Sequence, residues 1–165
     1  MRFGLLCGFL FAWLSAFDAK AEFRVGILLP MTGPSAEYGV AMHNSIRLAV
    51  EDAPENFTSI RLILEDSRND AKTAVAGFQK LSQMDHIDLL YIWGVAPCAA
   101  VLPIAESQQV PTIAQCYDAT ASLRRQFVIR FMNKTQDYMT VLSRELSRRG
   151  LKRSGVILSE TPFIE

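Results

Sequence analysis

The chain has 165 residues, half of them apolar and 10% aromatic, with 17 basic and 17 acidic side chains. A formal charge of zero gives no electrostatic footprint for nucleic acid or an anionic membrane surface. With 21% charged residues the chain is too apolar for a disordered one, and its length allows a real core.

Residues 3–17 form an uncharged apolar run, preceded by Met1-Arg2 and followed by Asp18-Ala19-Lys20-Ala21. A basic start, a run below the ~20 residues of a spanning helix and an Ala-x-Ala end describe a secretory signal peptide, residues 1–21, cleaved after Ala21. The alternatives are an uncleaved anchor or a buried helix. Cys7 lies far upstream of the cleavage position, so no lipoprotein anchor and no membrane insertion after cleavage are expected. Export to an oxidising compartment permits Cys98 and Cys116 to pair. Neither has a close Cys or His neighbour at zinc-ligand spacing, so no metal site is expected.

From Phe23 onward apolar runs alternate with amphipathic ones. Residues 23–29 read as a strand, closed by Pro30 and the turn residues Thr32-Gly33-Pro34. Gly39 to about Ala53 reads as a helix with Met42, Ile46, Ala49, Val50 and Ala53 at helical spacing, stopped by Pro54. A second strand spans 60–64. Asp70 is placed to cap the next helix, whose Val75, Phe78 and Leu81 form one stripe.

A buried strand over 89–93 follows, and after Gly94 a helix starts around Ala96-Pro97-Cys98, with Pro97 in its first turn. Short strands are expected at 111–114 and 127–131, a helix at 135–149 ended by Gly150, and a sixth strand at 155–158. The fold class that follows is α/β, a Rossmann-like parallel sheet flanked by helices. The rhythm breaks between residues 115 and 126, an irregular loop of the kind that borders a ligand cleft beyond the carboxyl ends of the strands.

No constellation for catalysis emerges. The first strand is followed by no dinucleotide or Walker loop, so no cofactor is expected. His43 and His86 are isolated from any nucleophile motif. Adjacent acids in Glu51-Asp52 and Glu65-Asp66 turn in different directions. The cluster Arg144, Arg148, Arg149, Lys152 and Arg153 reads as a solvated helix end that complements the dipole. Asn56-Phe57-Thr58 and Asn133-Lys134-Thr135 match a glycosylation triplet that arises easily by chance.

What remains is binding. Loops after the first, third and fourth strands should converge at one edge of the sheet, bringing together 32–38, 94–99 and 115–120. A helix beginning at Pro97-Cys98-Ala99 offers unused N–H groups to a carboxylate. Tyr38 and Tyr117 offer aromatic walls, and Asp118 a charge for an ammonium. Equally, Tyr38 is suited to staple a helix and Asp118 to cap the turn behind it. The ligand-binding set is therefore Tyr38, Cys98, Ala99, Cys116, Tyr117, Asp118 and Thr120. Cys98 and Cys116, at the ends of neighbouring strands, fit either a disulfide fixing two cleft loops or two buried free thiols.

The same residues carry a family resemblance. Residues 24–39, RVGILLPMTGPSAEYG, resemble the opening of periplasmic solute-binding proteins of the leucine/isoleucine/valine-binding type. Glu65-Asp66 followed by Asp70-Ala71-Lys72-Thr73-Ala74-Val75, then Pro103-Ile104-Ala105-Glu106 with Val110-Pro111, and Phe127-Val128-Ile129-Arg130 before Asp137 continue it in order. The resemblance implies a periplasmic two-lobed clamp that captures a small polar solute, such as an amino acid or related organic acid or amide, and hands it to the membrane subunits of an ABC importer. It implies a first lobe over 22–133 and the start of an incomplete second lobe over 134–165, since two lobes of ~100–150 residues each exceed what cleavage leaves. The chain is thus expected to be an N-terminal portion or a truncated gene product. A ligand-sensing domain of the same fold, or an exported α/β enzyme whose catalytic part lies beyond residue 165, are the alternatives.

The site departs from that family's pattern. Where serines commonly hold the ligand carboxylate, this chain has Pro97-Cys98-Ala99-Ala100, and a thiol is a weaker donor than a hydroxyl. The later loop reads Cys116-Tyr117-Asp118-Ala119-Thr120 and aligns only with a gap. Tyr38 matches the aromatic that packs on the ligand. A cysteine that often pairs with the third-strand loop would fall near Ser67 to Asn69, where none stands.

Overall fold

Strand β1 (Phe23–Leu29) is the apolar run expected from the sequence. A computed structural model describes it within residues 22–54, 59–118, 120–153 and 155. The expected signal segment, the triplet at Asn56 and residues 156–158 of the expected sixth strand lie outside the described residues. Parallel pairing joins β1 to β2 (Ile60–Asp66) and to β3 (Leu89–Trp93), and continues through β4 (Thr112–Gln115) to β5 (Val128–Arg130). The sheet has five strands in the order β2-β1-β3-β4-β5. Helices α1 (Ala36–Glu51), α2 (Ala71–Gln83) and α3 (Val95–Ser107) make the crossovers, and α4 (Thr135–Arg148) follows β5. This is the parallel α/β architecture predicted by the alternation of runs.

The two faces of the sheet are unlike. On one, Phe78 and Leu81 of α2 and Val101, Leu102 and Ala105 of α3 pack over Leu28, Leu90, Ile92, Ala114 and Val128. Burying a side chain such as Phe78 contributes about 1.5–3 kcal/mol, so this face carries most of the stability. Asp70 caps α2 by accepting a 2.8 Å hydrogen bond from the Thr73 N–H, as its position predicts. On the other face α1 packs on β1, where Ile27 and Leu29 are fully buried. Toward β5 the cover ends. Ile129 and Phe131 alternate with the register of Ile113 and Tyr91 and remain 69% and 68% exposed. Parallel sheets in α/β proteins are buried on both faces, so this open strip is an unfinished core surface among the described residues.

Element ends differ from expectation where a side chain has a tertiary role. Helix α1 begins at Ala36, three residues before Gly39, because the Gly33 carbonyl accepts from the Ala36 N–H and closes a turn ahead of it. Gly39 then sits against β1, where a Cβ would fall 2.0 Å from the Pro30 carbonyl oxygen. Strand β2 runs two residues past Leu64, since Glu65 and Asp66 pair with Leu28 and Leu29 of β1, while their side chains meet Lys80 of α2 and the loop after β1. These adjacent acids diverge as predicted. Arg148 and Arg149 both pair with Glu145 at the end of α4.

Candidate functional site

Strand order β2-β1-β3-β4 directs four loops to one carboxyl edge, and hydrogen bonds fasten the first two of them, those after β1 and β2. Asp66 Oδ1 accepts from the Met31 N–H at 2.8 Å and the Arg68 N–H at 2.9 Å, and Oδ2 accepts from the Thr32 hydroxyl at 2.6 Å. Burial acts to raise the Asp66 carboxyl, but the Thr32 hydroxyl and the N–H groups of Arg68, Met31 and Thr32 outweigh it and hold it below 3.8. Asn69, in the left-handed region at φ 54°, donates from Nδ2 to Ser35 Oγ at 3.4 Å. The β2 loop thus belongs to the edge, although sequence reasoning gathered only three loops. Its signal was the pair Asp66 and Asn69, polar residues bracketing a strand end.

Helix α3 starts at Val95, two residues before the expected Pro97-Cys98-Ala99. Gly94 makes the turn at φ 102°, where a Cβ would meet Asn69 Oδ1 at 2.5 Å. The Cys98 N–H already donates to the Gly94 carbonyl at 3.1 Å, and Pro97 has none to offer. This corrects the expected anion-binding groups. The N–H groups that the helix leaves unused are those of Val95 and Ala96.

The predicted residues divide into two groups. Cys98, Ala99, Cys116 and Asp118 line one small cavity with Val95 and Arg125 on the α3 side of the sheet. Cys98 and Cys116 are bonded through sulfur, with Cα atoms 6.4 Å apart, and both are buried. The cavity measures about 50 Å³, room for a water or two but not for an amino acid or a ring. Asp118 accepts from the Thr120 N–H and hydroxyl, each at 2.7 Å, and so caps its own turn. Those two bonds, with Arg125 and Arg130 nearby, hold its carboxyl below the usual range despite partial burial. Tyr117, beside it, is partly exposed.

Tyr38 belongs to the second group. It is 52% exposed at the start of α1 and stacks on Trp93, the last residue of β3, with ring centroids 5.7 Å apart and planes 20° from parallel. Trp93 was not among the candidates from sequence. At the far side of the edge, Arg130 Nη1 donates to the Cys116 carbonyl at 3.2 Å and the Asn133 carbonyl at 3.4 Å, tying the β4 loop to the approach to α4.

Comparison with known proteins places this geometry. The model of the periplasmic binding protein family matches residues 22–164. Among curated proteins no relative matches. A similar solved structure is the solute-binding protein of an ABC transporter from Rhodopseudomonas palustris BisB5, in complex with 3,4-dihydroxybenzoic acid. It is 21% identical with a TM-score of 0.72, over 79% of this chain and 37% of that one. The leucine-binding protein LivK of Thermotoga maritima MSB8 is 21% identical with a TM-score of 0.69, over 77% and 37%. A solute-binding protein of R. palustris in complex with benzoate is 24% identical with a TM-score of 0.70, over 80% and 38%. These neighbours are transport solute-binding proteins, not enzymes, and the chain spans little more than a third of their length. With a family match over all but the first 21 residues and the last, this chain belongs to the periplasmic binding protein family.

Proposed function

We propose that this chain is the first lobe of an exported solute-binding protein, residues 22–133, together with the start of a second lobe over 134–165. In this reading residues 1–21 direct it to the periplasm, where it captures a small organic acid in a cleft between lobes and delivers it to the membrane subunits of an ABC importer. The observation that carries this is the carboxyl edge itself. Asp66 and Asn69 fasten the loops after β1 and β2, the Cys98–Cys116 disulfide joins the start of α3 to the β4 loop, and the edge presents an aromatic ring and the N-terminus of α3 side by side. A rigid edge with unused N–H groups suits a carboxylate, and a ring suits the apolar remainder of the solute.

The family match and the bound solutes of the neighbours, aromatic acids in several and leucine in the name of another, support a small carboxylate-bearing ligand. A thermal-shift screen of the exported polypeptide against amino acids, amides and benzoates tests the proposal. A ligand at 100 times its Kd stabilises by about 2.7 kcal/mol, a shift of several degrees. A polypeptide that no member stabilises but that turns over a substrate would refute it.

A further inference from the structure

Resting on the reading of the carboxyl edge as a solute cleft, we propose that Trp93 is a positioning residue that fixes solute specificity. It holds the Tyr38 ring as a flat platform, so that the site takes a planar aromatic acid in preference to an aliphatic amino acid.

Both rings are held by rigid elements. Trp93 ends β3, in register with Gln115 of β4, and the following residue Gly94 is the N-cap of α3. Tyr38 precedes Gly39, which lies so close to the Pro30 carbonyl that α1 has no room to slide over β1. One face of the Tyr38 ring is taken by the indole, and the ring is still half exposed. A flat surface that is fixed in orientation matches another flat ring, whereas a branched aliphatic side chain gains no stacking from it.

Charge supports the same class of solute. An amino acid requires an anion for its ammonium group, and Asp118, the acid on the β4 loop, is already engaged by Thr120 and lies near Arg125 and Arg130. Asp66 is engaged by Thr32, Met31 and Arg68. Glu37 neighbours Tyr38 but points about 100° away around α1. Among the described residues the edge therefore offers groups for a ring and a carboxylate and no uncompensated anion beside the platform.

Calorimetric titration of the exported polypeptide with benzoate and with leucine tests the proposal, using wild type, Trp93→Phe and Trp93→Leu. The wild type is expected to prefer benzoate, with a benzoate-dependent change in tryptophan emission. Trp93→Leu should weaken benzoate by about two- to tenfold, the worth of one aromatic pair, with leucine unchanged and Trp93→Phe restoring most of the loss. Should Trp93→Leu fail to fold, Tyr38→Leu at a half-exposed helix position carries the same comparison. Equal losses for both solutes, or none, would reduce Trp93 to a packing residue and overturn the proposal. A wild type that prefers leucine overturns it while leaving solute capture standing; one that binds no small solute removes both.

Discussion

The Thr32 hydroxyl donates a 2.6 Å hydrogen bond to Asp66, joining the loop after β1 to the end of β2. Three backbone N–H groups, of Met31, Thr32 and Arg68, converge on the same carboxylate, so Asp66→Asn should cost about 1–2 kcal/mol in urea unfolding. The folded carboxyl lies below 3.8, so the clamp stabilises fully above the unfolded value and is lost as pH falls through the folded one. Below about pH 4 the wild type should lose stability more steeply than Asp66→Asn. Parallel pH profiles would show that the clamp does not matter to folding.

Cys98 and Cys116 join the first turn of α3 to the end of β4 across 18 positions. In protein purified without reductant the expected state is a disulfide worth about 3 kcal/mol in the chain-entropy model. Thiol titration of denatured protein without reductant should find no reactive thiol from this pair at monomeric mass. Two reactive thiols would mean that the cysteines serve as small apolar side chains.

Gly39 is a close approach and not a flexible joint. In Gly39→Ala the new methyl would press on the Pro30 carbonyl, costing about 1–3 kcal/mol of overpacking and outweighing the gain in helix propensity of ~1 kcal/mol. Tyr38 would shift with α1, so solute affinity should fall together with the melting temperature. A variant as stable as wild type would contradict the packing.

The open strip at β5 makes a prediction about residues 22–165 expressed alone. Ile129 and Phe131 lie together on an exposed sheet face, so that chain should bind a hydrophobic dye and self-associate. The double variant Ile129→Lys with Phe131→Lys should lower dye binding and raise the monomer fraction in sedimentation. Unchanged dye binding would place the exposed surface elsewhere.

The parallel sheet was legible because its central strands are short, mostly apolar runs: the limits of β1 and β3 follow from Phe23–Leu29 and Leu89–Trp93 alone. Asp70 was legible as a cap because that role is local, set by the Thr73 N–H three residues away. The end of β2 was not, since Glu65 and Asp66 continue the strand by pairing with Leu28 and Leu29 of β1, and their side chains find Lys80 and Thr32, all partners distant in sequence. Tyr38 and Trp93 meet by the same kind of tertiary accident: one belongs to a helix start, the other reads as a core strand residue, and only the packing of α1 across β1 toward β3 brings the rings together. The start of α3 at Val95 depends on the backbone of Gly94, whose positive φ leaves no mark beyond the glycine itself.

Solute binding at the carboxyl edge of this sheet is tested by hydrogen exchange of residues 22–165 with and without the solute that stabilises them most. Protection is predicted in residues 31–38, 94–99 and 115–120, with α2 and the α3 C-terminal half unchanged. Protection confined to other elements, or none at a saturating concentration, would contradict it.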